Sequence, residues 1–367
     1  PFEYNQVTPA SPFYFFFPRD TTQIKYYSNW PKITEIFPKN VTGIVTARDK
    51  FVIDFDIKDL RSRIMQFRNL SLSEEVIAKA YGLKDTRGWK LSYARKKLAD
   101  DPGWDNYYQK ILYRPFDIRY IYYTPTMVDW GRYEIMPSLL ENNLALITVR
   151  QVAEGKYNHC FITDNLVESR ITLSNKGIAY IFPLYLYDQE NPNELFNEQK
   201  EGRKTNLSSK LIKTLSDTYN FIVQPEFTLN YIYAILYSNV YRNTYADFLK
   251  FDFPRVPFTV DGALFQQMAA LGKRLIDLHL LRSTELEQTI ARFEGQGEDL
   301  TITTPKYDAA TGRVWINPTH YLEGIPPEVW HYQIGGYQVL DKYLKGRKGR
   351  SLEDPRHILR VATALAK

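Results

Sequence analysis

Cysteine is almost absent. Cys160 stands alone among 367 residues, which excludes an internal disulfide framework and any zinc site built from several cysteines. Long apolar runs are missing as well: nothing approaches the roughly eighteen residues of a membrane-spanning helix, and no signal peptide opens the chain. There is no P-loop, no GxSxG elbow and no GxGxxG strand–helix junction, so Gly335-Gly336 reads as a turn. His159, His279, His320, His331 and His357 stand too far apart for an HExxH-type ligand pair. His159 adjoins Cys160, but strand alternation would point the two side chains to opposite faces, against a thiolate–imidazolium pair. Glu198-x-Lys200 has the spacing of half a metal-dependent nuclease site, yet lies in a polar loop with no strand before it and reads as ordinary surface.

What remains describes a globular, aromatic-rich protein. Apolar residues make up 44%, aromatics 15% with 28 tyrosines, and the formal charge is +5, a mild bias that suits an anionic partner. The length allows one large domain or two modest ones. The chain opens at Pro1 rather than an initiator Met, as expected of a domain taken from a longer polypeptide.

The stretch Gly43–Asp54, GIVTARDKFVID, alternates as a half-buried strand or hairpin. Ile44, Thr46, Arg48 and Lys50 would line one face, and Val45, Ala47, Phe51 and Ile53 the other. Thr46-x-Arg48 recurs as Thr148-x-Arg150, and Phe51-x-x-Asp54 as Phe161-x-x-Asp164. Next comes the most basic block of the chain, from Lys58 to Lys97, with a short helix at Glu74–Tyr81 opened by a capping-box spacing from Ser71 and closed by Gly82. β-Branched and aromatic runs predict strands within Tyr107–Tyr123, with Pro115 at a bulge or edge, then at Leu144–Arg150, Cys160–Asp164 and Ala179–Tyr187.

Asp188–Thr205 reads as a loop, and helices dominate after it. The clearest is capped by Asp261 and carries Leu264, Met268, Leu271, Leu275 and Leu278 on one stripe, expected to be core. Leu300–Thr304 and Arg313–Asn317 suggest a hairpin, and the basic run from Lys345 to Arg350 sits between the last two helices. The expected architecture is α+β: a β-rich lobe over 1–188 packed against a mostly helical lobe over 189–367, together one domain.

In order, the segments GIVTARDKFVI, YRPFDIRYIYY, FPLYLY, YRNTYADFLKFDFPRVPF, LGKRLIDLHLL and VWHYQIGGYQVLDKYLKGRKGRSL resemble the C-terminal specificity region of single-chain restriction-modification enzymes of the type ISP class, and related adenine-specific DNA methyltransferases. The resemblance spans about Trp30 to Leu352. It implies a target-recognition domain for double-stranded DNA, working in a bacterial cytoplasm. The partner in the same polypeptide would be an upstream methyltransferase domain that carries S-adenosylmethionine and methylates adenine at N6. Asn191-Pro192 and Asn317-Pro318 are followed by Asn193 and Thr319. The catalytic Asn-Pro-Pro-Tyr of such enzymes is therefore missing, no cofactor is expected here, and the chain is expected to be non-catalytic alone.

In this role, forked side chains read bases while Lys, Arg, Ser and Thr hold phosphates. The expected DNA contacts are Thr46, Arg48, Lys50, Thr148 and Arg150 on exposed strand faces or hairpin tips, with Lys96, Lys97, Arg132, Arg170 and the loop Gln151–Asn158. Arg48 has a rival reading as an ion pair with Asp49 or Asp54. Lys345, Arg347, Lys348 and Arg350 are expected to clamp a phosphate, the intervening glycines letting backbone N–H groups approach it. Arg255, fixed between prolines, is expected to be structural and to pair with Asp252. The alternatives are a nuclease fragment using Glu198 and Lys200, and a carbohydrate-binding or scaffold module presenting aromatic platforms.

Overall fold

A computed structural model describes residues 11, 14, 22–153, 155–172, 177–187 and 202–367. Short strands alternate with helices such as Ile57–Arg68 and Leu91–Ala99 in the first half: β1 (Val41–Thr42), β2 (Ile53–Asp54), β3 (Tyr108–Arg114), β4 (Asp117–Tyr122), β5 (Ala145–Val149), β6 (Phe161–Thr163), β7 (Leu166–Val167) and β8 (Ala179–Pro183). They form two sheets, in the orders β1-β8-β5-β6 and β2-β4-β3-β7, the only parallel pairing among them being β3 with β7. The chain passes from the first sheet to the second between β6 and β7, where the Thr163 hydroxyl accepts from Asn165 N at 3.0 Å. Pro115 and Phe116 make the turn between β3 and β4, and the pairing shifts register between Leu112 and Arg114, a bulge beside the proline.

Every residue of β5 is buried, because apolar cores cover the sheet on both faces. Side-chain alternation sends Ala145 and Ile147 into one core and Leu146 into the other, which Val149 joins at the end of the strand. Each core draws on both sides of position 188. One combines residues from Val41 to Ile181 with residues from Leu278 to Leu365; the other combines Tyr27, Ile33, Phe37 and Phe182 with residues from Leu207 to Ile276. The architecture is α+β, as expected. Tyr27, Tyr122, Tyr123, Tyr233, Phe37 and Phe182 are fully buried within it, which leaves those rings no role as exposed sugar platforms.

The helix Gly262–His279 packs along Pro225–Tyr237, and its N-terminus is capped by the Asp261 carboxylate, which accepts from Ala263 N and Leu264 N. The expected core stripe needs correction. Phe265, Ala269, Gly272 and Ile276 face inward, whereas Leu264 and Leu271 are exposed. The helix carries two apolar stripes, and the small residues of the second decide between them, because Ala269 and Gly272 let two backbones approach closely. A Cβ on Gly272 would lie 1.8 Å from the Asn230 carbonyl oxygen. In the short helix Glu74–Tyr81, Ser73 rather than Ser71 supplies the cap, accepting from Val76 N, and Gly82 closes it with φ 63°.

In the C-terminal part, β11 and β14 (Arg292–Gly295, His320–Glu323) pair with β13 (Arg313–Trp315) and β12 (Lys306–Asp308) once β9 and β10 (Tyr185–Tyr187, Arg203–Thr205) have formed their own ribbon. The hairpin is therefore β12–β13, and Leu300–Thr304 runs beside it, with Thr303 N donating to the Ile316 carbonyl and Thr301 bridged to Ser351. Among the described residues no helix is long and apolar enough to cross a membrane.

Candidate nucleic-acid interface

Gly43–Asp54 is not a strand. Backbone bridges tie Ile44 to Glu168 and Val45 to Trp130. Ala47 then turns with φ 60°, and Asp49–Val52 forms one helical turn before β2. Thr46 is consequently buried. Its hydroxyl bonds to the Asp49 carboxylate and accepts from Arg48 N at 3.1 Å, a local turn motif that competes with the ladder. The expectation of an exposed Thr46 does not hold.

Arg48 is enclosed, its side chain only 7% exposed. Its guanidinium donates to the Met127 carbonyl at 2.7 Å, the Thr46 carbonyl at 3.2 Å and Asp129 Oδ1 at 2.8 Å. It also lies 4.1 Å from the centre of the Trp89 ring, and Trp89 Nε1 donates to the Thr126 carbonyl at 2.8 Å. An ion pair does hold Arg48, with Asp129 rather than Asp49 or Asp54. Three loops, around residues 45–50, 84–90 and 124–133, thus meet at one guanidinium. An arginine suits such a junction because its rigid fork serves several acceptors at once.

The third loop is pinned elsewhere too. Val45 and Trp130 exchange backbone hydrogen bonds of 3.1 and 3.0 Å, and Tyr123 donates its hydroxyl to the Gly131 carbonyl at 2.6 Å. Tyr133 stacks on Tyr123 at 4.8 Å and leaves no room for a side chain at Gly131, whose Cβ would fall 2.3 Å from the Tyr133 ring. On this platform Trp130 is 57% exposed. Arg132, with φ 59°, holds its guanidinium 5.5 Å from that indole. Sequence reasoning singled out Arg132 but missed Trp130, which carries no motif and lies far from Arg48 in the chain.

The remaining candidates separate by residue type. Thr148, the echo of Thr46, lies inside β5 and bonds to the Tyr157 hydroxyl at 2.7 Å, so it too is withdrawn from the surface. Arg150 is exposed, with Asp252 at 3.5 Å. Asp252 also pairs with Lys32 at 2.7 Å, whereas Arg255 donates to the carbonyls of Ser28 and Trp30 instead of pairing with it. In the basic block Arg95 is buried and donates to the carbonyls of Phe67, Asn69 and Leu72. Arg61 chelates Asp105 through two 2.7 Å bonds, and Arg68 serves the carbonyls of Leu98 and Ala99. Lys50, Lys96, Lys97 and Arg170 point to solvent.

The C-terminal run departs from a simple phosphate clamp. Gly346 N and Gly349 N donate to the carbonyls of Lys342 and Ile302, which removes the expected backbone donors. Lys345 pairs with Asp341 at 2.9 Å, and Lys348 is exposed. Arg347, with 13% of its side chain exposed, donates to Asp117 Oδ1 at 2.7 Å and lies on the Tyr343 ring at 3.6 Å. Arg350 is more open, at 46%, and reaches Asp54 Oδ1 at 3.3 Å.

Asp54 also pairs with Arg63, and Asp117 with Arg119 at 2.7 Å. Four guanidiniums therefore share two carboxylates, and those of Arg119, Arg347 and Arg350 lie 4.1, 4.7 and 4.7 Å from the Phe55 ring. Phe55, Lys58, Ile118, Tyr120, Arg347 and Arg350 line a groove of about 440 Å³. Its rim includes Asp56 and Asp354, whose carboxylates cap the helices Ile57–Arg68 and Pro355–Ala366.

His159 and Cys160 do not form a thiolate–imidazolium pair. Burial pushes the Cys160 thiol up to about 12 and His159 down to about 4, so both are neutral near pH 7. Among the described residues no three His, Cys, Asp or Glu come together to hold a metal. Glu198 and Lys200 lie outside the described residues. His279, buried against Tyr233 with a 2.6 Å bond between the hydroxyl and Nδ1, is driven down to about 3 by the same burial.

Because both histidines titrate lower when folded than the roughly 6.5 of an unfolded chain, the unfolded state takes up protons first as pH falls. The stability they contribute is complete above about pH 6.5 and is lost progressively down to about pH 4 for His159 and about pH 3 for His279. Denaturation midpoints at pH 7 and pH 4.5 should therefore differ, and His279→Gln should flatten that slope. A wild-type midpoint unchanged between the two would contradict the burial argument.

Compared with known families, the chain matches the family model of the Type ISP C-terminal specificity domain over residues 35–366. No curated protein matches. Among solved structures, the ATP-dependent Type ISP restriction-modification enzyme LlaBIII bound to DNA aligns at TM-score 0.72 and 17% identity, over 98% of this chain and 25% of that one. The DrdV–DNA complex aligns at 0.68 and 21%, over 90% and 35%. A nuclease-deletion mutant of the Type ISP enzyme LlaGI, with a DNA substrate mimic, aligns at 0.64 and 20%, over 93% and 28%. At these identities the likeness establishes the fold, and the chain spans about a quarter to a third of each neighbour.

Proposed function

Because the chain belongs to the Type ISP C-terminal specificity domain family, we propose that it is the sequence-reading module of a larger restriction-modification enzyme. It recognises double-stranded DNA in the bacterial cytoplasm, so that a methyltransferase domain of the same polypeptide can act on N6 of an adenine. S-adenosylmethionine belongs to that domain, and this chain is non-catalytic alone. Three structural neighbours solved with DNA or a mimic of it support the reading.

The observation that carries it is the pinned junction of three loops at Arg48. It presents Trp130 and Arg132 on a rigid base. Base readout needs such preorganisation, since side chains ordered beforehand lose less freedom on binding. Lys50, Lys96, Lys97, Arg150, Arg170, Lys348 and Arg350, exposed on the same molecule, are the proposed phosphate contacts. Arg48 and Arg347 are positioning residues.

In the full-length enzyme, replacing Lys348 and Arg350 together by alanine should weaken specific and random-sequence duplexes alike. Each lost phosphate contact should also make the slope of log K against log salt shallower by about 0.9. Fluorescence titration at several salt concentrations measures both. If the unaltered enzyme binds duplex DNA with no salt dependence, the proposal is wrong.

A further inference from the structure

We infer that Trp130 is a base-stacking residue: its indole lies against a nucleobase at the recognised site, with Arg132 as the cation beside it. This deepens the DNA-reading role proposed above and rests on it.

The first ground is exposure. Of the six tryptophans, Trp89 and Trp330 are buried, Trp30, Trp104 and Trp315 are half-buried, and Trp130 is 57% exposed. A large ring left in water forfeits burial free energy that a neighbouring cavity could have supplied. The second ground is rigidity. An exposed ring on a loose loop would be unremarkable, but this one sits at a reciprocal backbone bridge to Val45. The flanking carbonyls are held by side chains from elsewhere: Thr126 by Trp89, Met127 by Arg48 and Gly131 by Tyr123. Its position is therefore fixed before any partner arrives.

The third ground is backbone strain. Ala47 and Arg132 adopt left-handed φ values of 60° and 59° on either side of this bridge without being glycines. Each such conformation costs on the order of 1 kcal/mol or more, and persists only where surrounding contacts enforce it. Enforcing it here turns Arg132 back over the Trp130 ring, 5.5 Å away. The result is a flat aromatic surface flanked by a guanidinium, the pairing that nucleobases and their phosphates complement. Stacking accepts any base, so this element supplies affinity at a distorted or opened base step, and forked side chains supply the discrimination.

The test uses the full-length enzyme and a 30-base-pair duplex carrying the site it methylates, mapped beforehand by sequencing methylated bases in DNA from cells that express it. Trp130→Ala should weaken binding to this duplex about 5- to 100-fold, the range for losing one stacked base, while the slope of log K against log salt stays unchanged. Trp130→Phe should recover most of the affinity. Duplex binding should quench tryptophan emission in the unaltered enzyme, and the share of that quenching that comes from Trp130 should vanish in Trp130→Phe.

Full affinity in Trp130→Ala would overturn the assignment while leaving DNA reading intact. So would unchanged affinity accompanied by a lower melting temperature of the whole enzyme, which would mark the indole as a contact between domains. Absence of duplex binding in the unaltered enzyme would instead remove the reading beneath it, and this assignment with it. Since Trp130 belongs to neither apolar core, circular dichroism should find both variants folded.

Discussion

Arg48→Ala should lower folding stability by about 3 kcal/mol and abolish site-specific DNA binding together. The estimate combines two unmet buried acceptors, at about 1 kcal/mol each or more, with a salt bridge whose value is discounted because Asp129 is partly solvated. The side chain's contacts are spread over Thr46, Met127, Trp89 and Asp129, so its removal unties three chain segments at once. Arg48→Lys should rescue less than half of the loss, since one ammonium cannot reproduce a fork that meets two carbonyls and a carboxylate while lying on an indole. Denaturant midpoints measure the stability term. A double-mutant cycle with Asp129→Ala isolates the ionic part. A loss below 1 kcal/mol for Arg48→Ala would show that the junction holds without its guanidinium.

Gly272→Ala should be the most damaging small substitution in the helical layer. On helix propensity alone the change favours folding by about 1 kcal/mol. Packing reverses the sign: the new methyl carbon would stand 1.8 Å from the Asn230 carbonyl oxygen, 2.6 Å from its carbon and 3.2 Å from Ala234 N, all backbone atoms that cannot rotate away. The two helices must part, opening the core between Phe265 and Tyr231, and a net loss of about 3 kcal/mol is expected. Gly88→Ala is the control, because nothing lies within 4 Å of its Cβ position. Equal midpoints for Gly272→Ala and Gly88→Ala would refute the argument.

The contrast between these two sites shows what the sequence could and could not disclose. Local rules worked where the cause is local. The Asp261 cap, the Gly82 terminus and the strand character of Tyr107–Tyr123 all follow from neighbours a few positions away. The family was legible from six ordered segments. Side-chain orientation was not. Thr148 is the one polar residue in the run Leu144–Val149, and its hydroxyl suggested an exposed face, but apolar cores on both sides of β5 bury it. The partners of Arg48 lie 79 and 81 positions downstream, beyond any pattern period. Leu264 and Leu271 make a better apolar stripe on paper than Ala269 and Gly272, yet close approach of backbones selects the smaller residues.

The carboxylates of Asp54 and Asp117 are completed by arginines 296 and 230 positions later. Synthesis runs from the N-terminus, so these early carboxylates, already within reach of Arg63 and Arg119, meet their second arginines only after the intervening segments have been made. Contacts of such separation place folding at the slow, topology-limited end of the range. A nascent chain halted short of Arg347 would hold β2 and β4 with only Arg63 and Arg119 to answer their acids, so the groove around Phe55 is completed only once the run from Lys345 to Arg350 is made.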